Sequence, residues 1–287
     1  IGIEKSRNLM TVRLARTIGM NTVSEYARKF GISSKMPDQL SMSLGAGETN
    51  LIKLTSAYAM LVNGGRKITP TFIDKIQDRN GRTIFRQDIR PCLECRSVDQ
   101  SLTKVPVIPD YREQIADRAS AYQMVRMLEG VVKRGTGRRI ASLNKPLAGK
   151  TGTTNKNFDT WFIGFSPDLA FGVYVGFDNP KTLGRRDTGS NVAAPIFKRF
   201  MKIALKGMPE VPFRAPPGIL HVRINTETGS LARPGDKNII TEVFKPGSVP
   251  TGASRIVDGG YAAGWMSRKQ DKSWKRSLDI KGIKGIY

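Results

Sequence analysis

The chain has 287 residues, 39% of them hydrophobic and 25% charged, a composition typical of a folded protein able to bury a proper core as one large or two smaller domains. No apolar run reaches the ~18 residues that a membrane-crossing helix needs, and the start, IGIEKSRNLMTV, has no basic region, apolar stretch and small-residue cleavage site of an export signal. The formal net charge of +23 permits contact with nucleic acid, anionic lipid or an acidic polymer, but the basic residues are spread along the chain and never alternate with aromatic stacking residues, so nucleic acid is not an expected partner.

In chain order, SRNLMTVRLARTIGM predicts a first helix, with Leu9, Met10, Val12, Leu14 and Ile18 supplying a buried face and Ser6 or Asn8 capping its start. A second helix is predicted over 22–30, stopping at Gly31, and a third, LIKLTSAYAMLVN, follows Thr49-Asn50 and stops at Gly64-Gly65. TFIDKIQDRNGRTIFRQ alternates on both sides of Asn80-Gly81 and reads as a hairpin. Helical spacing returns over 117–132, with Gly135 as the stop. TWFIGF and LAFGVYVGF then flank a turn at Ser166-Pro167-Asp168; both are apolar at nearly every position, so each predicts a strand covered on both faces. NVAAPIFKRFMKIAL predicts a helix ended by Gly207. This order predicts an α+β fold of helices packed on a central antiparallel sheet. Past Gly207 comes a proline-rich connection, then ILHVRINTETGSLARPG, a predicted strand pair turning at Thr228-Gly229, and from about residue 253 a basic, glycine-rich tail predicted to be poorly ordered. The expected blocks are therefore 1–207, 208–252 and 253–287.

Histidine and cysteine are scarce enough to exclude chemistry. One histidine and two cysteines cannot make the usual zinc sites, and no metal or other cofactor is expected. His221 lies in an alternating, strand-like run and reads as a surface or edge residue; no GxSxG elbow accompanies it. Cys92 and Cys95 form a CLEC without a thioredoxin-like context, which suggests a local disulfide or two free thiols. Acid-base chemistry in this chain falls to lysine, serine and carboxylates.

One lysine stands out. Lys150 sits in PLAGKTGTTNKNFDTWF with no bulky neighbour in sequence to cover it. A phosphate-binding loop, GxxxxGK[ST], matches at Gly149, Lys150 and Thr151, but Asn144 replaces the first glycine and a strand rather than a helix is predicted to follow. The alternative is the KTG strand of lysine-using serine acyltransferases, whose motifs are SxxK, SxN or SDN, and KTG. In that reading the Lys150 ammonium holds a substrate carboxylate, Thr151 and Thr153 donate hydrogen bonds to it, and Gly152 admits the substrate backbone. A backbone N–H just beyond the glycine then faces the carbonyl oxygen on which charge develops.

AGKTGTTNKNFDTWFIGFSPDLAFGVYVGFDN, the preceding VVKRGTGRRIASLNKPL, the following TGSNVAAPIF, and the upstream SLGAGETNLIKLTSAYAMLVNGG and EKSRNLMTVRLA resemble, in order, the transpeptidase domain of class A penicillin-binding proteins over most of residues 1–251. The resemblance implies an incomplete penicillin-binding/β-lactamase-like fold with a small β extension, and 1–207 as its transpeptidase part. It implies serine acyl transfer from peptidoglycan stem peptides ending in D-Ala-D-Ala to a neighbouring amine. Inhibition by β-lactams and a place on the periplasmic face of the bacterial inner membrane are implied as well. It places the second motif on Ser6-Arg7-Asn8: Ser6 relaying a proton to the leaving nitrogen, Asn8 bonding the substrate amide and orienting the base lysine. Lys150, Thr151, Gly152 and Thr153 take the KTG roles, with the Thr153 N–H as oxyanion donor. Asp159 and Trp161 are expected to be scaffold, Trp161 through its burial.

The family's first motif, with the nucleophilic serine and base lysine, precedes SxN, and the sequence begins five residues before Ser6. Two SxxK tetrads, Ser101-Leu102-Thr103-Lys104 and Ser142-Leu143-Asn144-Lys145, run into proline within a few residues and fall on the wrong side of SxN, so neither is expected to be the nucleophile. The expectation is a chain that holds substrate but is not acylated alone. A complementary N-terminal fragment is one expected partner, and the alternative is a non-catalytic module binding peptidoglycan or a partner protein.

Overall fold

The computed structural model describes residues 1–91 and 108–250. Cys92, Cys95, Ser101, Lys104 and the basic tail lie outside the described residues. The described residues divide into two compact units, Ile1–Val222 with Thr241–Val249, and Arg223–Ile240 with Pro250.

The first unit is organised on a three-stranded antiparallel sheet in the order β3 (Ala148–Thr153), β4 (Thr160–Phe165), β5 (Ala170–Val175). Its register is regular, with Ala148 opposite Phe165 and Thr153 opposite Thr160, then Thr160 opposite Val175 and Phe165 opposite Ala170. Because side chains alternate faces along a strand, this register assigns each residue its layer. Ala148, Lys150, Gly152, Trp161, Ile163, Phe165 and Tyr174 share one face; Thr151, Thr153, Thr160, Phe162 and Val173 share the other.

On the Phe165 side pack α3 (Leu51–Val62) and α4 (Arg118–Arg134), whose Tyr122, Val125, Leu128 and Val131 form a core with Ala148 and Phe165. On the Phe162 side packs α5 (Ala193–Ala204), whose Ala193, Ala194, Phe197 and Met201 close over Phe162 and Val173. The Phe162 and Phe197 rings lie 4.7 Å apart and both are fully buried. Each such side chain removed from water contributes on the order of 2 kcal/mol. The helix–sheet–helix arrangement is the α+β fold that the order of elements predicts, and the apolar run of β4 has this cause; β5, at the sheet edge, is less covered than expected, with Val173 buried but Tyr174 exposed.

Local sequence sets most boundaries. Asn50 caps α3 by accepting from the Lys53 N–H, and Asp117 caps α4 by accepting from the Ser120 N–H. The third helix stops where Gly64 and Gly65 take φ of 69° and 77°. A hairpin of β1 (Lys75–Gln77) and β2 (Thr83–Arg86) turns through Asn80 and Gly81, with the Asp78 carboxylate accepting from the Asn80 and Arg82 N–H groups.

Two expectations about the first helix fail. In α1 (Asn8–Ile18) Leu9, Leu14 and Ile18 are exposed and Ala15 is its buried residue. The helix packs on α2 (Met20–Lys29) and a 3-10 turn at Leu40–Leu44, and these contacts leave those three side chains exposed. Neither Ser6 nor Asn8 caps it: Arg7 holds the cap position and its side chain has no acceptor, while Ser6, one residue earlier, places its hydroxyl on Lys150. Past α5, β6 (Leu220–Asn225) takes β7 (Ile239–Phe244) as its regular partner. The pair expected around Thr228-Gly229 is reduced to a turn, in which Asn225 Oδ1 accepts from the Glu227 and Thr228 N–H groups, and a single bridge from Ile224 to Leu231. His221 is exposed on β6.

Candidate active site

The β3 strand carries KTG along the edge of the three-stranded sheet. Just past its end the Thr154 N–H donates to the Asp159 carbonyl at 3.1 Å, which fixes the alternation of the antiparallel ladder. Gly152 and Lys150 bond to β4, whereas the backbone groups of Thr151 and Thr153 face the open edge. The Thr153 N–H therefore points away from the sheet, where a ligand carbonyl can receive it.

Lys150 is half-buried, and its ammonium is brought round to that same edge. Its Nζ donates to the Thr151 carbonyl at 2.9 Å and to Ser6 Oγ at 2.8 Å. An ammonium has three protons, so one remains for an anion. Loss of water around the charge lowers the Lys150 pKa to about 8, so near neutral pH the group holds its proton with little to spare. Ser6 is exposed and sits at φ 52°, a left-handed conformation that serine rarely adopts. Asn8, exposed at the first position of α1, has no hydrogen bond to Lys150 among the described residues.

The two threonines are anchored on the other face. Thr151 Oγ1 lies 2.8 Å from Thr136 Oγ1, and the Ser190 hydroxyl donates to the Thr136 carbonyl at 2.8 Å. Thr153 Oγ1 accepts from the Gly189 N–H at 3.0 Å, which leaves the Thr153 hydroxyl proton available to donate. Composition and spacing around KTG did not identify Thr136, Gly189 and Ser190 as partners. They lie in RGTG, just after α4, and TGSN, just before α5, and small residues at the ends of helices are the signal that marks them.

Other sequence candidates resolve differently. Ser142 ends its hydroxyl bond on the Arg139 carbonyl within a 3-10 helix, Arg138–Leu143, and Asn144 turns left-handed at φ 51°. Lys145, beyond that turn, reaches Glu210 at 3.0 Å and the Met208 carbonyl at 3.3 Å, so this serine and lysine form no pair. The mid-strand position of Lys150 rules out a phosphate-binding loop, which needs a helix after the lysine. Asp159 accepts from the Tyr174 hydroxyl at 2.8 Å, and the Trp161 and Tyr174 rings lie 4.6 Å apart. Trp161 is half-buried rather than buried, because its sheet face is open at this end and Tyr174 is its neighbour there. Among the described residues no cluster of histidine, cysteine or carboxylate could hold a metal ion, and no helix is long and apolar enough to cross a membrane.

Comparison with known proteins agrees with this architecture. The profile of the penicillin binding protein transpeptidase domain matches residues 1–202. Penicillin-binding protein 1A of Rickettsia conorii is 44% identical over 250 residues, which cover 86% of this chain and 31% of the relative. The crystal structure of penicillin-binding protein 1A from Haemophilus influenzae superposes with a TM-score of 0.74 at 29% identity, over 88% of this chain and 40% of that one. PonA1 of Mycobacterium tuberculosis in complex with penicillin V superposes at 0.56 with 26% identity, over 71% of this chain and 55% of that one. The chain thus spans about a third of the length of the curated relatives it matches. A match over two-thirds of the chain, together with an edge strand that presents KTG to a serine of SxN, places the chain in the transpeptidase family of the class A penicillin-binding proteins.

Proposed function

We propose that this chain forms the carboxylate-holding and proton-relaying side of a D-Ala-D-Ala transpeptidase site. The observation that carries the reading is the Lys150 ammonium, held at the open edge of β3 between Ser6 Oγ and the Thr151 carbonyl. The third ammonium proton and the Thr153 hydroxyl receive the terminal carboxylate of a stem peptide, with Thr151 completing the cradle. Gly152 keeps that stretch of strand low enough for an extended peptide to lie along it. The outward Thr153 N–H takes the carbonyl oxygen of the penultimate residue as it gains negative charge during serine attack. When the C–N bond breaks, Ser6, bonded to a lysine that parts with its proton near pH 8, passes a proton to the departing D-alanine nitrogen. Asn8 lies two residues beyond Ser6 and bonds the substrate amide. An incoming amine then takes the acyl group by the reverse sequence. β-Lactams, which carry an equivalent carboxylate, occupy the same cradle, and the setting is the periplasmic face of the inner membrane.

Calorimetric titration with diacetyl-Lys-D-Ala-D-Ala and with its C-terminal amide tests the reading. The acid binds about tenfold more tightly than the amide, and Lys150→Met abolishes the difference. Equal affinity for acid and amide in the unsubstituted chain overturns the proposal.

A further inference from the structure

We propose that Glu4, Arg134 and Thr136 are positioning residues, which make the end of α4 and the turn just after it a common bracket for the Ser6 loop and the KTG strand. The inference rests on the transpeptidase reading for its functional meaning and on separate geometry for its substance.

Ser6 and Lys150 are 144 positions apart in sequence, and Ser6 is held in a backbone conformation unfavourable for serine. Within the loop the Lys5, Ser6 and Arg7 N–H groups donate to the Ile1, Ile3 and Gly2 carbonyls, which shapes the turn without attaching it to the rest of the site. Glu4, two residues before Ser6, is 3% exposed. Its carboxylate receives both Arg134 Nε at 3.1 Å and Arg134 Nη2 at 2.5 Å, a two-pronged grip that fixes orientation as well as distance. The Glu4 carbonyl accepts from the Thr136 N–H at 3.1 Å, and Lys5 Nζ donates to the Arg134 carbonyl at 2.9 Å. A side chain at position 130 would put its Cβ 2.2 Å from Glu4 Oε1, so α4 carries glycine where the carboxylate enters.

The turn that follows α4 faces the other half of the site. Thr136, whose backbone holds Glu4, places its hydroxyl 2.8 Å from that of Thr151. Residues 134–136 therefore touch Glu4 and Lys5 on one side and the KTG strand on the other. A movement of this turn displaces Ser6 and Thr151 together, whereas loss of the Glu4 grip releases Ser6 alone. Arg134 Nη2 also meets Glu242 Oε1 at 2.7 Å, on β7, so one guanidinium nitrogen serves both carboxylates.

The test follows Lys150 itself. In the purified chain with 13Cε-labelled lysine, its NMR resonance is assigned by its loss in Lys150→Met and titrated with pH. In Glu4→Gln the Ser6 loop moves away and the ammonium regains water. The Lys150 midpoint then climbs from about 8 towards the ordinary lysine value near 10.4, and the acid-over-amide preference for the D-Ala-D-Ala peptide falls about tenfold. Glu242→Gln, which leaves the two-pronged bond between Glu4 and Arg134 in place, moves both readouts far less than Glu4→Gln does. If Glu4→Gln retains a cooperative melt and an unchanged Lys150 midpoint, the ion pair only stabilises the fold and the proposal is overturned. If Glu4→Gln does not fold, Arg134→Lys, which keeps the charge and loses the two-pronged grip, is read by the same criterion. An unsubstituted chain that does not distinguish acid from amide, but whose Lys150 midpoint responds to Glu4→Gln, sinks the transpeptidase reading and leaves the bracket standing.

Discussion

Lys150 is held in its site at the expense of fold stability, and the size of that penalty is measurable. Unfolded, the lysine takes up a proton with a pKa near 10.5; folded, the loss of water lowers it to about 8. The folded pKa is depressed, so between pH 8 and 10.5 the unfolded chain binds more protons and stability rises with pH. Below pH 8 both states are protonated and the full penalty is present; above 10.5 both are neutral and it is gone. At 1.36 kcal/mol per pKa step, the lowering corresponds to about 3 kcal/mol, reduced to about 2 kcal/mol by the water that a half-buried ammonium keeps. Lys150→Met, which preserves the length of the side chain and discards the charge, is thus expected to stabilise the chain by about 2 kcal/mol at pH 7 and by almost nothing at pH 10.5. Urea denaturation of both proteins from pH 7 to 10.5 measures it. The difference between the two curves removes the effects of other groups, including Tyr58, whose burial raises its pKa to about 12 and erodes stability above pH 10 in both proteins alike. Parallel stability curves over this range would refute the claim that desolvation of Lys150 is what depresses its pKa.

Two further substitutions probe the scaffold. Phe197→Ala removes a fully buried ring packed on Phe162 and Phe171 and is expected to cost 3–5 kcal/mol, read as a large drop in the urea midpoint. Thr136→Val keeps the size of the side chain but deletes its bond to Thr151; it is expected to cost about 1 kcal/mol in stability and to weaken peptide binding without changing the melting cooperativity.

Much of the scaffold was legible in the chain because its causes are local. The β4 run is apolar on both faces because α3 and α4 cover one and α5 the other, whereas β5, at the sheet edge, leaves Tyr174 exposed. Asn50 and Asp117 sit where orphan N–H groups need acceptors, and Gly64 and Gly65 where the backbone turns left-handed. The KTG strand was legible by chemistry and by resemblance together. The burial of α1 was misread because helical spacing identifies an apolar stripe without saying what lies over it, and here Leu9, Leu14 and Ile18 are exposed. The same limit applies to Trp161, an aromatic whose burial depends on what faces it.

The sequence by itself determined the helices, the three core strands, the absence of the usual zinc ligands and the candidacy of Lys150, since each depends on residue types within a few positions of one another. Only the tertiary structure decided that Ser6 reaches Lys150 across 144 positions, that Glu4 is gripped by Arg134 across 130, and that Thr136 braces Thr151. Those contacts arise from α4 packing beside β3 and from the return of the first residues to the end of that helix. The physical reason is that an ion pair or a hydroxyl bond leaves no periodic trace in either segment, so its partners are found only when the chain is folded.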